Sequence, residues 1–243
     1  MGAIVNLSRR TAVVAGVLFL LTEVGAIVGA ALYSPILKGT GYITGAGADE
    51  SILLGAFFEL VLVVAVVGTA VTLYPILRRQ NEGVALAYVV ARVLEAAIIL
   101  VGILSLLSIV TLRRQFAETT EVDPTTLATI GSSLVALHDW TFLFGPGFAL
   151  GAGSLLLASL MYSSHLVPRG IAVLGLMGGV LIIASGFAVM FGVYEQMSTL
   201  GLVVALPVFA WEVSLAVWLI ARGFRPVSLL AAPGARLNAG ATR

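Results

Sequence analysis

Arg92 and Glu95 carry opposite charges three positions apart, inside an apolar run long enough to cross a bilayer. On an α-helix, side chains at this spacing share one face. A charged residue at membrane depth is rare, and it normally faces the interior of a helix bundle. The pair therefore predicts a buried polar centre.

Four further apolar runs each carry an acid of their own. At about 1.5 Å of rise per helical residue, all five acids fall between the midplane and the outer third of a core ~30 Å thick. Because the five acids lie at similar depths in the membrane, we predict that they share one site. Its expected members are Glu23, Glu59, Arg92, Glu95, His138, Asp139 and Glu212.

The charges of this expected centre do not balance. Five acids against Arg92 leave a charge of −4 if every group is ionised and His138 is neutral. A low-dielectric site tolerates this only if several acids are protonated or a cation is bound. A proton, a metal ion and an organic amine all satisfy that condition.

A metal would be a divalent cofactor, because carboxylates with one histidine suit Zn, Mn or Fe better than copper(I). The expected ligands are His138, Asp139, Glu23 and Glu95. Such a ligand set is unusual for structural zinc.

Each of these residues also has a purely structural interpretation. The Arg92–Glu95 pair can clamp its helix to its neighbours, and Glu23 can hydrogen-bond across a tight helix contact. Glu59 can lie at a polar interface near the outer rim, and His138 can be a satisfied interior histidine. A packing role therefore stays open beside a functional one.

Composition indicates an all-α polytopic membrane protein. The chain is 60% hydrophobic and 10% charged, with a mean hydropathy of +1.10, whereas a soluble domain carries roughly 25% charged residues. A net charge of +1 gives no case for nucleic acid. Absence of cysteine excludes disulfides, thiolate metal sites and cysteine nucleophiles.

Hydrophobic runs predict six transmembrane helices joined by short loops. Asp123-Pro124 predicts the start of the fourth, and Gly145-Pro146-Gly147 predicts a kink within it. Pro207 lies inside the sixth. We expect one membrane domain, 1–222, followed by a mobile cytoplasmic tail, 223–243. The helices are expected at 11–33, 52–77, 84–112, 125–161, 170–191 and 200–220.

Lysine and arginine counts set the expected orientation. With the N-terminus in the cytoplasm, nine of the thirteen basic residues face inward, three face outward, and Arg92 lies in the membrane. Positive charge favours the inner side, so both termini are predicted to be cytoplasmic. The expected location is the cytoplasmic membrane, with the lipid bilayer as partner.

Several motifs resemble a family of small bacterial or archaeal membrane proteins known only as domain of unknown function 4386. The resemblance covers about residues 8–226 and implies a membrane fold of about six helices, but no activity. Its motifs are Glu23 followed by Gly25-Ala26 and Leu32-Tyr33, the run from Ala91 to Glu95, the run from His138 to Gly147, and Trp211-Glu212.

Three classes of function remain open on the sequence. The first is proton- or cation-coupled transport of a small molecule, for which six helices predict a homodimer. The second is a metal-dependent intramembrane enzyme that acts on a lipid or other apolar substrate. The third is a non-catalytic membrane protein whose polar cluster serves packing or ligand binding.

Overall fold

The computed structural model describes residues 2–37, Tyr42, 49–117 and 123–225, and that part of the chain contains helices and no strands. A π-helical segment, Leu143–Ala149, joins two of the helices. The helices are α1 Gly2–Leu32, α2 Ser34–Leu37, α3 Asp49–Leu77, α4 Glu82–Ala117, α5 Pro124–Phe142, α6 Leu150–Ser164, α7 Arg169–Met190 and α8 Thr199–Ala221.

Six helical spans are long and apolar enough to cross a membrane, with α5, the π segment and α6 forming one of them. Large apolar side chains such as Ile27, Val64 and Val180 are more than half exposed, as a lipid-facing surface requires. The prediction of a six-helix, all-α membrane protein is confirmed.

The six spans form a closed ring in chain order. The first packs against α3, α3 against α4, and α4 against α5 and α6. The ring continues from α6 to α7 and from α7 to α8, and α8 returns to α1. Arg9 fastens this last contact by donating hydrogen bonds to the carbonyl oxygens of Leu219 and Ile220, at 3.0 and 2.6 Å. A cation there also complements the C-terminal end of the α8 dipole.

We call proximal the end of the bundle that carries the start of α1 and the end of α8, and distal the end that carries Tyr33 and residues 191–198. Phe19, Leu77, Tyr88, Met161 and Trp211 belong to a dense apolar cluster that fills the proximal half. A second cluster lies distally among α1 to α5, and it includes Ile36, Ile52, Ile103, Leu106 and Leu127. Residues 183–190 and 199–207 belong to neither, which leaves the distal centre beside α7 and α8 without an apolar core.

The π segment follows from the Gly145-Pro146-Gly147 sequence. Proline has no N–H group for the i→i−4 ladder, and the helix widens there. The Leu150 N–H accordingly donates to the carbonyl oxygen of Gly145, five residues back. Gly145 lies against α4, where a Cβ atom would come within 3.4 Å of Ile99. The predicted kink is therefore a widening of one continuous span.

α4 is longer than predicted at the distal end, where it ends at Ala117 rather than at residue 112. α4 has 36 residues, or about 54 Å, which exceeds a hydrocarbon core of ~30 Å. Arg113 and Arg114 near its end form ion pairs with Asp49 at the start of α3. Burial and a hydrogen bond to Asp49 raise the pKa of Tyr42 to about 12. The distal end of α4 is therefore tied to the start of α3.

The remaining boundaries differ from prediction by a few residues, except that α1 begins at Gly2 rather than at residue 11. Asp123 accepts a hydrogen bond from the Thr125 N–H and caps α5, as the Asp-Pro sequence predicted. Residues 226–243 of the predicted tail lie outside the described residues.

The orientation of the bundle in the membrane stays a prediction. Thiol labelling tests it, because the chain has no cysteine of its own to react. Glu82 and Glu195 are both exposed, at the proximal and distal ends respectively. With the proximal end in the cytoplasm, Glu195→Cys should react with a membrane-impermeant thiol reagent on intact cells. Glu82→Cys should react only after permeabilisation. The reverse pattern would invert the topology.

Gly175→Ala should destabilise the bundle, because a Cβ atom there would lie 2.5 Å from a ring carbon of Trp211. Overpacking of a close contact costs about 1–3 kcal/mol, so we expect a lower midpoint of thermal unfolding in detergent. Gly170→Ala on the same helix is the control, since nothing lies within 4 Å of its added Cβ. Equal midpoints for the two variants would contradict this account of the α7–α8 contact.

Candidate functional site

A cavity of about 440 Å³ lies at the centre of the ring, in the distal region that the apolar clusters leave unfilled. Leu62, Ile99 and Leu150 are among the apolar residues of its wall, and Gln196 and Met197 line it from the link between α7 and α8. Its volume is in the range of small-molecule sites.

The proximal floor of the cavity is charged. Arg92 donates a hydrogen bond through Nη1 to Glu95 Oε2 at 3.0 Å and to Glu212 Oε1 at 3.4 Å. Because Glu95 is on α4 and Glu212 is on α8, the guanidinium group joins two spans on opposite sides of the ring. Glu23 on α1 interacts electrostatically with all three residues. We call these four residues the Arg92 cluster.

Because the Arg92 cluster is buried, the stability of its charged groups depends on their contacts with one another. Arg92 is 2% exposed, Glu95 3% and Glu212 6%, and the guanidinium carbon lies 5.8 Å from the centre of the Phe19 ring. Nε and Nη2 of Arg92 make no hydrogen bond to the described residues. A buried charge that loses its partner is costly, so the acids hold Arg92 in place, and Arg92 holds them.

A second polar group lies nearer the distal end. The His138 ring meets the Tyr33 ring edge-on, with centroids 5.8 Å apart, and stacks on Phe142 at 6.3 Å. Glu59 interacts electrostatically with His138 and with Tyr33. Within the described residues, His138 Nδ1 lacks a hydrogen-bond partner. We call Tyr33, Glu59 and His138 the His138 cluster.

Six of the seven residues expected in one centre line this cavity, but they do so at two levels. Glu23, Arg92, Glu95 and Glu212 form the floor, whereas Glu59 and His138 lie further toward the distal end. The expectation that all these groups lie at one depth is therefore wrong.

Asp139 is the residue that the structure separates from the others. Its side chain is 66% exposed, and it is not among the described residues that line the cavity. The distance from its Oδ1 to His138 Nδ1 is 3.6 Å, too long for a hydrogen bond. Neighbouring helical residues point about 100° apart, so His138 turns inward while Asp139 turns outward.

The length of α5 explains the error in the height of Asp139. Phe148 packs against Phe187 of α7 with ring centroids 4.8 Å apart, and α7 ends three residues later. Asp139 lies nine residues before Phe148, about 13 Å nearer the distal end. Asp139 and the half-exposed Trp140 therefore lie further toward the distal end than the last turn of α7.

The expected metal site does not form among the described residues. They contain no group of three or more histidine, aspartate or glutamate side chains placed to hold a metal ion. Asp139 is turned away, and Glu23 and Glu95 belong to the floor rather than to the His138 cluster. The prediction of His138, Asp139, Glu23 and Glu95 as ligands is not supported.

Sequence reasoning missed two contributors to the cavity region. Tyr33 continues the face that Glu23, Ala26 and Ala30 begin, because these positions follow one another at intervals of three or four residues. Ser185 lines the cavity and accepts a hydrogen bond from the Tyr194 hydroxyl group at 2.7 Å. No sequence pattern links Ser185 to Tyr194, since that contact depends on the path of the α7–α8 link.

Fold and cavity define a multi-pass helical membrane protein with a charged central site. The family described as Domain of unknown function (DUF4386) matches residues 14–223, and the chain belongs to it. That range includes all six spans in large part and every cavity residue named above. No curated protein and no solved structure matches the chain.

Arg92→Leu should destabilise the protein strongly, by about 3–5 kcal/mol, because it leaves buried acids without a counter-charge. The thermal midpoint in detergent measures the loss. Adding Glu95→Gln and Glu212→Gln should restore part of it, since neutral partners no longer need the guanidinium group. Arg79→Leu, at an exposed turn position, is the control and should change little. A small effect of Arg92→Leu alone would show that the ion pairs are dispensable.

Proposed function

We propose that the protein binds a small organic cation in the central cavity and transports it across the membrane in exchange for protons. The observation that carries this proposal is the convergence of Glu23, Glu95 and Glu212 on a single arginine at the closed end of an apolar cavity. Three carboxyl groups against one guanidinium group leave a charge of −2 when all are ionised. A cationic ligand or protons can neutralise that charge.

Competition for the same carboxyl groups supplies the coupling. A bound cation favours ionised acids, and acids that have taken up protons no longer attract it. Because the cation and the protons compete for the same carboxyl groups, each weakens the binding of the other. The apolar walls select a ligand whose remaining surface is hydrocarbon, because burying that surface stabilises the complex.

Access supports transport as well as binding. The cavity reaches Gln196 and Met197 at the distal end, while the apolar cluster that contains Phe19, Tyr88 and Trp211 closes the proximal side. In this proposal the structure is the distally open state, and that cluster must part to release the ligand. The π segment and Pro207 interrupt two spans that border the cavity, where bending is easiest.

We assign the cavity to a single membrane domain, residues 1–222, and we assign residues 223–243 to a cytoplasmic tail. The excess of basic residues at the proximal end supports a cytoplasmic orientation of both chain ends. We place the protein in the cytoplasmic membrane as a homodimer, because six spans are few for a transporter.

A packing role is the second candidate, since Arg92 binds Glu95 and Glu212 and thereby ties α4 to α8. Glu23 separates the two candidates. It is only partly buried, and it lines the cavity rather than taking part in either ion pair of Arg92. Because Glu23 also makes a side-chain hydrogen bond with Glu212, a functional test of Glu23 is needed to decide between the two candidates.

Proteoliposomes with a lumenal pH dye test the proposal. Butyltrimethylammonium is the probe, because a quaternary cation cannot carry a proton through the lipid by itself. Its addition outside should raise the lumenal pH only when the protein is present. Glu23→Gln should reduce the initial rate about tenfold or more, as loss of a charge-assisted contact implies.

Asp139→Asn is the matched control, because it removes an acid outside the cavity and should leave the rate unchanged. A proton signal equal to that of protein-free liposomes would overturn the transport proposal. A normal signal in Glu23→Gln would overturn the role of the Arg92 cluster.

A further inference from the structure

The cavity carries acidic groups near both of its ends. Glu23 belongs to the floor, and Glu59 packs against α1 at Gly29, where an added Cβ atom would lie 2.8 Å from Glu59 Cγ. Gly29 is six residues beyond Glu23. The two levels are therefore about 9 Å apart along α1.

A second helix gives the same separation. Glu95 belongs to the floor on α4, and Gly102 on the same helix faces His138, with an added Cβ atom 3.5 Å from His138 Cδ2. Seven residues separate Glu95 from Gly102, which is about 10 Å of helix. The distance between the Arg92 cluster and the His138 cluster thus follows from two independent contacts.

The walls between the two clusters are apolar. Ala26, Leu62, Ile99 and Leu143 line this middle part. A ligand that spans the two clusters therefore needs hydrocarbon between its ends, because a polar group there would lose its hydration without gaining a partner.

The distal cluster has polar capacity that the protein leaves unused. His138 is 6% exposed, so more than nine-tenths of it is buried, and it lines the cavity. Its Nδ1 atom has no hydrogen-bond partner among the described residues. A neutral imidazole presents one acceptor nitrogen, and Glu59, 7% exposed, adds a carboxyl group beside it. An imidazole nitrogen without a hydrogen-bond donor, next to a buried carboxyl group, fits a ligand that brings N–H groups.

We infer that the ligand is a linear α,ω-diammonium ion, with one ammonium group at the Arg92 cluster and the other at the His138 cluster. This assignment rests on the proposed function and specifies its substrate class. With C–C bonds of about 1.5 Å, an extended chain of roughly six to eight carbons separates its terminal nitrogens by the distance between the clusters.

Calorimetric titration of the purified full-length protein tests the inference with α,ω-diaminoalkanes from butane to decane, beside the n-alkylamines of equal length. Affinity should peak at an intermediate diamine length. Each matched monoamine should bind about 10- to 100-fold more weakly than the best diamine, since it lacks one charge-assisted contact.

Substitutions locate the second ammonium group. Glu59→Gln should lower the affinity for the best diamine toward that of the matched monoamine, and it should lower the monoamine affinity by a smaller factor. Asp139→Asn, which removes the exposed acid next to His138, should change neither. A thermal midpoint equal to that of the wild type confirms that Glu59→Gln is folded.

The outcomes separate this inference from the proposal on which it rests. Equal affinities for monoamine and diamine, or a steady rise with chain length, would overturn the two-cluster ligand while leaving organic-cation binding intact. An unchanged diamine affinity in Glu59→Gln would overturn it as well. Binding of no amine, together with no proton signal from butyltrimethylammonium, would overturn both.

Discussion

The burial of the Arg92 charge is the constraint on which the rest of the site depends. A guanidinium group removed from water needs anionic partners, and it finds them in Glu95 on its own helix and Glu212 on α8. Both contacts fix the relative rotation of two spans. Glu95 and Glu212 already outnumber Arg92, and Glu23 adds a third carboxyl group. The proposed cation binding depends on this excess of acid.

The cavity exists because the ring is filled unevenly. Large side chains such as Trp211 and Tyr88 close the proximal half, and the apolar contacts of α1 to α5 fill one distal side. At the remaining corner, the π segment replaces regular helix with Gly145, Pro146 and Gly147. Phe148 of the segment packs on α7, whereas the smaller Pro146 and Gly147 line the cavity and leave space there.

Helix length limited what residue counting could reveal about the site. Depth along a span can be counted only if the residue at which the helix enters the membrane is known, and α1, for example, begins at Gly2 rather than at residue 11. α5 reaches further toward the distal end than α7, so the same counting placed His138 and Asp139 too deep. The sequence also did not show that His138 faces the interior while Asp139 faces outward. A short polar segment does not reveal which of two neighbouring residues points inward.

The sequence by itself determined the membrane class, the six spans, the cap at Asp123 and the burial of Arg92 with Glu95, because each depends on local composition, spacing or hydration cost. Membership of the family also follows from sequence motifs. Only the tertiary structure decided that Glu212 and Glu23 meet Arg92, that Glu59 and His138 form a separate level, and that a cavity joins the two. These contacts link helices far apart in the chain, and they depend on how the ring closes, which no local pattern specifies.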